Sequence, residues 1–308
     1  MTNGTARRLP PRAFPRYPGS AMNPYHTFVS QLDRLLREGK RYPLGGFATP
    51  ARPVLPAGAP RALIFSPHPD DECIIGGLAL RLLREAGMAV VNVAVTQGSR
   101  ADRQEARWQE LEAACAYLGF DLVATGTRGL ERVNPAAKLK EPDHWSRSVD
   151  RIAEIIADRQ PAVMFFPHDT DWNSTHVGTH LLLLDALRRQ PAGFSTLVVE
   201  TEFWGAMASP NLMVELSIDD LTHMITALSF HVGEVQRNPY HLLVPAWMQD
   251  NVRRGGELVG GQGGVAPDFS FATLYRIRRW DSGQLQSVYD GGRIVTAGMN
   301  AAQALVAS

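Results

Sequence analysis

The sequence predicts a doubly wound, mainly parallel α/β sheet of Rossmann-like type, with an N-terminal extension and a C-terminal edge-strand appendage. Three observations predict it. From Arg61 to about residue 230, apolar runs of strand length alternate with helical stretches, the pattern that places helices on both faces of a parallel sheet. Two of those runs end in polar loops that lead straight into helices, and open α/β sheets hold ligands at the carboxyl ends of their strands. After Pro239 the alternation stops, so the remainder is an addition to the repeat.

In chain order, residues 1–60 form the extension. Residues 7–18 and 43–60 are rich in Pro, Gly and Arg. Residues up to about 20 are expected to be flexible. Between these tracts residues 25–36 read as a helix whose stripe of Phe28, Leu32, Leu35 and Leu36 is expected to dock on the core. Residues 61–308 are expected to be one catalytic domain, with its core at about 61–240. Strands are expected near 62–66, 89–95, 121–125, 162–166 and 196–200, and helices near 73–86, 103–118, 144–158, 176–189 and 218–230. The charged loop 126–142 reads as solvated, and Trp204, after the fifth strand, reads as core rather than as a platform for a sugar ring. In the appendage 241–308, Gly255-Gly256 and the glycines of 260–264 read as bracketing a mobile loop. They make no phosphate cradle, because no strand precedes them, no helix follows directly and no P-loop lysine is present. No nucleotide-cofactor site is therefore expected. Residues 269–280 read as a strand at an edge.

Composition excludes several classes. With 308 residues, 44% of them hydrophobic, the chain can bury a full core. Its 31 lysines and arginines balance 31 acids, so no broad field draws nucleic acid or an anionic membrane. Cys73 and Cys115 fall in expected helices and read as small packed apolar residues; two cysteines make neither a zinc cluster nor a disulfide framework. No apolar run reaches the roughly 18 residues of a spanning helix. The N-terminus lacks the apolar core of a secretory signal, which makes a cytoplasmic location the expectation. Assembly into a homo-oligomer stays open.

The most informative stretch is Ser66-Pro67-His68-Pro69-Asp70-Asp71-Glu72, set where a strand ends and a helix begins. Its prolines stiffen the turn. His68 and Asp71 can converge on one divalent ion, and a catalytic zinc takes three protein ligands and keeps one open position. Asp70 then lies beside the ion and suits a general base for a water whose pKa the ion lowers towards roughly 7. The plainer reading, that the acids only complement a helix N-terminus, leaves His68 unexplained. A third ligand is offered by the loop after Ala162-Val163-Met164-Phe165-Phe166, where His176 is the first choice over His180 and His168. His180, one turn on, is a co-ligand or outer partner in the other readings.

The Pro-His-Pro-Asp-Asp-Glu turn with Gly76-Gly77 resembles the signature of the PIG-L / LmbE-like deacetylases, metal-dependent enzymes that remove N-acetyl groups from amino sugars. The likeness extends to Thr96-Gln97-Gly98, to Arg107, Glu110, Ala114 and Leu118-Gly119, and to Ala227-Leu228 with His231, covering about 61–240. The resemblance implies His68, Asp71 and His176 as metal ligands and Asp70 as base, with Zn2+ (or Fe2+ or another divalent ion) as cofactor. It also implies that His231 steadies an oxyanion or protonates the leaving amine, although its local sequence alone reads as a histidine packed by Leu228 and Phe230. The implied substrate is an N-acetylated amino sugar or glycoconjugate. Asn173 and Thr175 stand where members often carry a histidine and an acid around the third ligand. Two other functions fit two histidines and one carboxylate: a non-haem Fe(II) oxygenase, which has no need of Asp70, and a non-catalytic metal- or sugar-binding module, which needs no base.

Overall fold

The alternating elements build a nine-stranded sheet in a computed structural model that describes residues 23–307. The expected flexibility before residue 20 lies outside the described residues. The segment up to Tyr42 is a unit of its own. Its helix α1 (Pro24–Gly39) starts at Asn23, whose side chain accepts the Tyr25 N–H at 3.0 Å.

In the second unit, β1 (Arg61–Ser66), β2 (Ala89–Ala94), β3 (Asp121–Ala124), β4 (Val163–Pro167) and β5 (Thr196–Thr201) lie parallel in the order β3-β2-β1-β4-β5. Each is almost continuously apolar because helices cover both faces. Ala62, Ile64, Val90 and Phe165 face one core, with α2 (Asp71–Ile74), α3 (Gly76–Glu85) and α4 (Gln104–Leu118). Leu63, Phe65, Val91 and Phe166 face the other, with α6 (Pro142–Arg159) and α7 (Ser174–Leu187), beyond the short α5 (Pro135–Lys140). Cys73 and Cys115 are both buried and free.

Strand order reverses between β1 and β4, which run side by side. A doubly wound sheet opens a crevice at that switch point, and the loops after these two strands are the ones that carry His68 and His176. The helix expected over 73–86 is broken at Ile75. The Tyr275 hydroxyl donates to the Ile75 carbonyl at 3.1 Å and accepts the Leu78 N–H at 3.0 Å, so a side chain inserts into the ladder.

The C-terminal part adds β6 (Leu212–Glu215), α8 (Ile218–Leu228), α9 (Val232–Arg237), α10 (Val244–Leu258), β7 (Ala272–Asp281), β8 (Gln284–Ser287) and β9 (Arg293–Val295). The strand expected over 269–280 is β7, and it is interior: it pairs antiparallel with β5 on one side and β6 on the other, while β9 takes the edge. Gly255 and Gly256 do not flank a mobile loop but lie inside α10. A Cβ on Gly255 would come within 2.4 Å of Met213 Sδ, so this glycine serves a close approach to the sheet. Buried Arg81 ties the addition down, pairing with Glu85 and donating to the carbonyls of Glu215, Thr296 and Met299. Among the described residues no helix is long and apolar enough to cross a membrane.

Candidate metal centre

β1 ends at Ser66, and the turn Pro67–Asp71 is clamped from three sides. Thr96 donates its hydroxyl to the Pro67 carbonyl at 2.7 Å. Arg107, on α4, donates to the Pro69 carbonyl at 2.9 Å. Asp71 Oδ2 accepts the His68 N–H at 2.9 Å. Gly98 lets Arg107 reach the turn: its φ is +78°, and a Cβ there would stand 2.5 Å from the guanidinium.

The turn and the N-terminus of α7 bring three side chains together. His68 Nδ1 is 3.2 Å from His176 Nε2, and Asp71 Oδ2 is 3.4 Å from each of these nitrogens. Two ligands about 2.05 Å from a tetrahedrally coordinated ion stand roughly 3.3 Å apart. The observed triangle therefore fits one divalent ion, and its two imidazoles and one carboxylate are donors that suit zinc or iron. His176 is fully buried, whereas His68 keeps 21% of its side chain exposed, so the triangle opens on one side. Burial opposes charge on His176, yet Asp71 and Asp171 outweigh it and lift its pKa to about 9. Burial would likewise raise Asp71, but the two histidines hold it well below the usual carboxylate range.

The other two histidines of this loop are engaged elsewhere. His168 Nε2 donates to the Gly205 carbonyl at 2.8 Å while its Nδ1 accepts the Thr170 N–H, which anchors the 201–205 segment. His180 Nδ1 donates to the Pro167 carbonyl at 3.0 Å. Asn173 caps α7 through the Thr175 N–H at 2.8 Å. The acid beside the third histidine is instead Asp171, whose Oδ2 lies 3.6 Å from His176 Nδ1 and accepts the Trp204 and Gly205 N–H groups. A carboxylate behind a ligating imidazole orients the ring.

Asp70 sits beside the triangle with φ 114°, a left-handed conformation that costs a non-glycine residue on the order of 1–3 kcal/mol. Its Oδ2 accepts from the Tyr240 hydroxyl at 2.5 Å, and Arg107 lies 4.0 Å away. Burial first, and then the neighbouring Asp71 charge, push Asp70 up to about 6, despite the opposing pull of His231, Arg107 and Tyr240. Glu72, which local sequence treats as helix-end charge, is wholly buried. It takes the Asp70 N–H on Oε2 at 3.0 Å and His231 Nε2 on Oε1 at 2.7 Å. His231 is fully buried, its Nδ1 has no hydrogen-bond partner among the described residues, and it lines neither of the clefts described below. Glu110 accepts the Gly233 N–H at 2.8 Å and so holds the segment that follows His231.

Two clefts flank this centre. One, of about 660 Å³, runs from His68 past Thr175, Arg107 and the 128–134 segment. The 126–142 loop expected to be solvated is thus partly a cleft wall. The other, of about 330 Å³, is lined by Trp172, Phe203, Trp204, Tyr240 and Trp247. Trp204 is 44% exposed there rather than buried in the core, because the 204–205 backbone is held out by Asp171. Phe203 meets His176 edge-on, ring centroids 4.6 Å apart.

Residues 63–187 match the model of one family, PIG-L: GlcNAc-PI de-N-acetylase. That stretch is similar to a PIG-L domain. His68, Asp70, Asp71 and His176 all lie within it, and His231 and Tyr240 reach it from the C-terminal side. The chain is similar in fold to N,N'-diacetylchitobiose deacetylase from Pyrococcus horikoshii, at 17% identity and a TM-score of 0.53, over 86% of this chain and 95% of that one. It is similar to a deacetylase of the teicoplanin biosynthetic pathway at 17% and 0.51, over 72% and 99%. It is also similar to GalB, the 4-carboxy-2-hydroxymuconate hydratase of Pseudomonas putida KT2440, at 18% and 0.52, over 71% and 95%. No curated protein matches the chain significantly. Because a hydratase is similar in fold as well as the deacetylases, the chemistry has to be argued from the site itself.

Proposed function

We propose that the protein is a zinc-dependent N-deacetylase that removes an N-acetyl or longer N-acyl group from an amino sugar or glycoconjugate. One observation carries the reading: a half-buried carboxylate, Asp70, with its pKa pushed up to about 6, adjoins a triangle of His68, Asp71 and His176 spaced for one divalent ion. Ligands alone would serve a binding module. A base poised near neutrality is needed only if a proton is moved.

An ion held by His68, Asp71 and His176 would polarise the amide carbonyl and acidify a water. Asp70 accepts the proton as the water oxygen bonds to the acyl carbon, and returns it to the nitrogen as the C–N bond breaks. One water is consumed, and a carboxylic acid and a free amine leave. Tyr240 and Arg107 both stand on Oδ2, which leaves Oδ1 to exchange the proton. His231 works through Glu72, holding the carboxylate that fixes the Asp70 backbone, and is a positioning residue in this reading.

The test is release of primary amine from a panel of N-acetylated amino sugars and conjugates, with and without a chelator. Chelator-sensitive release, restored by zinc and abolished by Asp70→Asn with metal content retained, is the expected result. Oxygen uptake with a co-substrate and no amine would move the assignment to an iron oxygenase. An Asp70→Asn variant altered only in ligand affinity would move it to a binding module.

A further inference from the structure

One buried nucleophile has no part in the chemistry above. Cys73, in α2, is fully buried, and its thiol donates to Glu72 Oε1 at 3.1 Å. His231 Nε2 donates to the same oxygen at 2.7 Å. A thiol sulfur, a carboxylate oxygen and an imidazole nitrogen thus stand within 4.8 Å of one another, each on a fully buried residue. The cluster shares no residue with the triangle of His68, Asp71 and His176. Two protons hold it together, both on one carboxylate oxygen. His231 Nδ1 has no hydrogen-bond partner among the described residues, so that oxygen is the anchor of the ring.

Ligands about 2.0–2.3 Å from a tetrahedrally coordinated ion stand roughly 3.3–3.6 Å apart, so these three donors need to part by only about half an ångström to admit one. With Glu72 ionised, Cys73 a thiol and His231 an imidazolium, the cluster is neutral. A divalent ion that displaces the thiol proton and the Nε2 proton to solvent leaves it neutral, so no net charge is buried. Sulfur selects the ion: the triangle offers only nitrogen and oxygen, whereas a thiolate favours soft ions such as zinc over magnesium, calcium or manganese. Neither cleft is lined by Glu72, Cys73 or His231, so an ion there would meet no substrate. We propose that Glu72, Cys73 and His231 form a second metal site, for a thiophilic divalent ion of the zinc type, whose filling acts on the first site. The link is Glu72, whose Oε2 accepts the Asp70 N–H at 3.0 Å. An ion on Oε1 pulls on the carboxylate that fixes the Asp70 backbone. On the deacetylase reading, on which this consequence rests, excess metal therefore lowers turnover.

The test loads the full chain with Co2+ to saturation and reads both the metal content and the near-ultraviolet spectrum. Expected is a second cobalt per chain and a thiolate-to-cobalt charge-transfer band, which nitrogen and oxygen ligands alone do not give. Cys73→Ser should lose the band and one cobalt, and Cys115→Ser should keep both. Absence of the band in the parent, or its persistence in Cys73→Ser, overturns the proposal, and the parent spectrum decides even if the variants fail to fold. Loss of even an outer partner of a metal typically costs about 10–100-fold in affinity, so Cys73→Ser should raise the free zinc that inhibits amine release at least about ten-fold. Inhibition unchanged in Cys73→Ser, or absent from the parent, overturns the link to turnover. The spectrum separates this site from the deacetylase reading. A band in a protein that releases no amine upholds the site and counts against that reading alone, and amine release without the band rejects the site alone.

Discussion

Tyr240 donates its hydroxyl hydrogen to Asp70 Oδ2 at 2.5 Å, joining a 3₁₀ turn near the end of the α/β core to the loop after β1, 170 residues earlier. The bond favours the ionised carboxylate and so works against the burial that raises its pKa. Burial and the nearby Asp70 charge in turn keep the phenol protonated, with its pKa raised.

Tyr240→Phe removes that donor, so the Asp70 pKa must climb further above about 6. The acidic limb of the pH–rate profile for amine release is expected to move to higher pH, with the alkaline limb in place. An unmoved acidic limb would dismiss Asp70 as the group titrating there.

Asp171→Asn keeps the three candidate ligands, and its amide oxygen can still accept the backbone N–H groups that Asp171 holds, while the charge behind His176 is lost. Loss of an outer carboxylate typically weakens metal binding about 10–100-fold, and a competition titration against a chelator should show a loss of that size. His176→Ala should instead abolish stoichiometric metal in the purified protein. If both variants hold zinc as the parent does, the triangle is not the metal site.

His231→Leu leaves Glu72 buried without its partner, and breaking a buried pair costs about 3–5 kcal/mol. Burial opposes the charged imidazole, but Glu72 and Asp70 raise the His231 pKa above its usual value. The stabilisation is therefore complete below the unfolded pKa of about 6.5 and fades as pH rises through the folded value. Denaturant melts should show a larger gap between parent and variant at pH 6 than at pH 9.5. His231→Gln, which keeps a hydrogen-bond donor, should recover part of the loss in both stability and kcat. A gap independent of pH would mean the pair is neutral.

His180 behaves oppositely. Burial lowers its pKa, so the folded protein holds it neutral and the unfolded chain protonates it first. Its contribution is present above about 6.5 and is lost as pH falls from there towards the folded value, by at most about 1.4 kcal/mol per pH unit. Stability measured from pH 7.5 down to pH 5 should fall less steeply in His180→Asn than in the parent. Equal slopes would assign the acid sensitivity elsewhere, His241 being the other buried histidine with a lowered pKa.

The parts legible in the chain are those written in contiguous residues. Five apolar runs became the five parallel strands, and each of the two polar loops follows its own strand, so β1 and β4 delivered His68, Asp71 and His176 to one crevice. Glu72 was visible as a residue but not as a linker, because its meaning depends on His231, 159 residues away. Residues 269–280 were legible as a strand but not as an interior one, since the antiparallel partners β5 and β6 leave no mark on its own sequence. Gly255-Gly256 looked like flexibility because a sequence does not display the Met213 and Leu274 side chains beside Gly255 or the Ala266 backbone beside Gly256.

By itself, then, the sequence determined the fold class, the crevice and the set of histidines and carboxylates that compete for it, because periodicity and strand-end loops are local properties. Tertiary structure alone decided among those competitors. His176 and His180 share a helix face, but one turn moves a side chain about 6 Å along the axis. That step separates a ring 3.2 Å from His68 from one that donates to the Pro167 carbonyl. It likewise decided that Tyr240 and Arg107 hold Asp70 and that His231 meets Glu72 and Cys73, since only folding sets distances between residues so far apart in the chain.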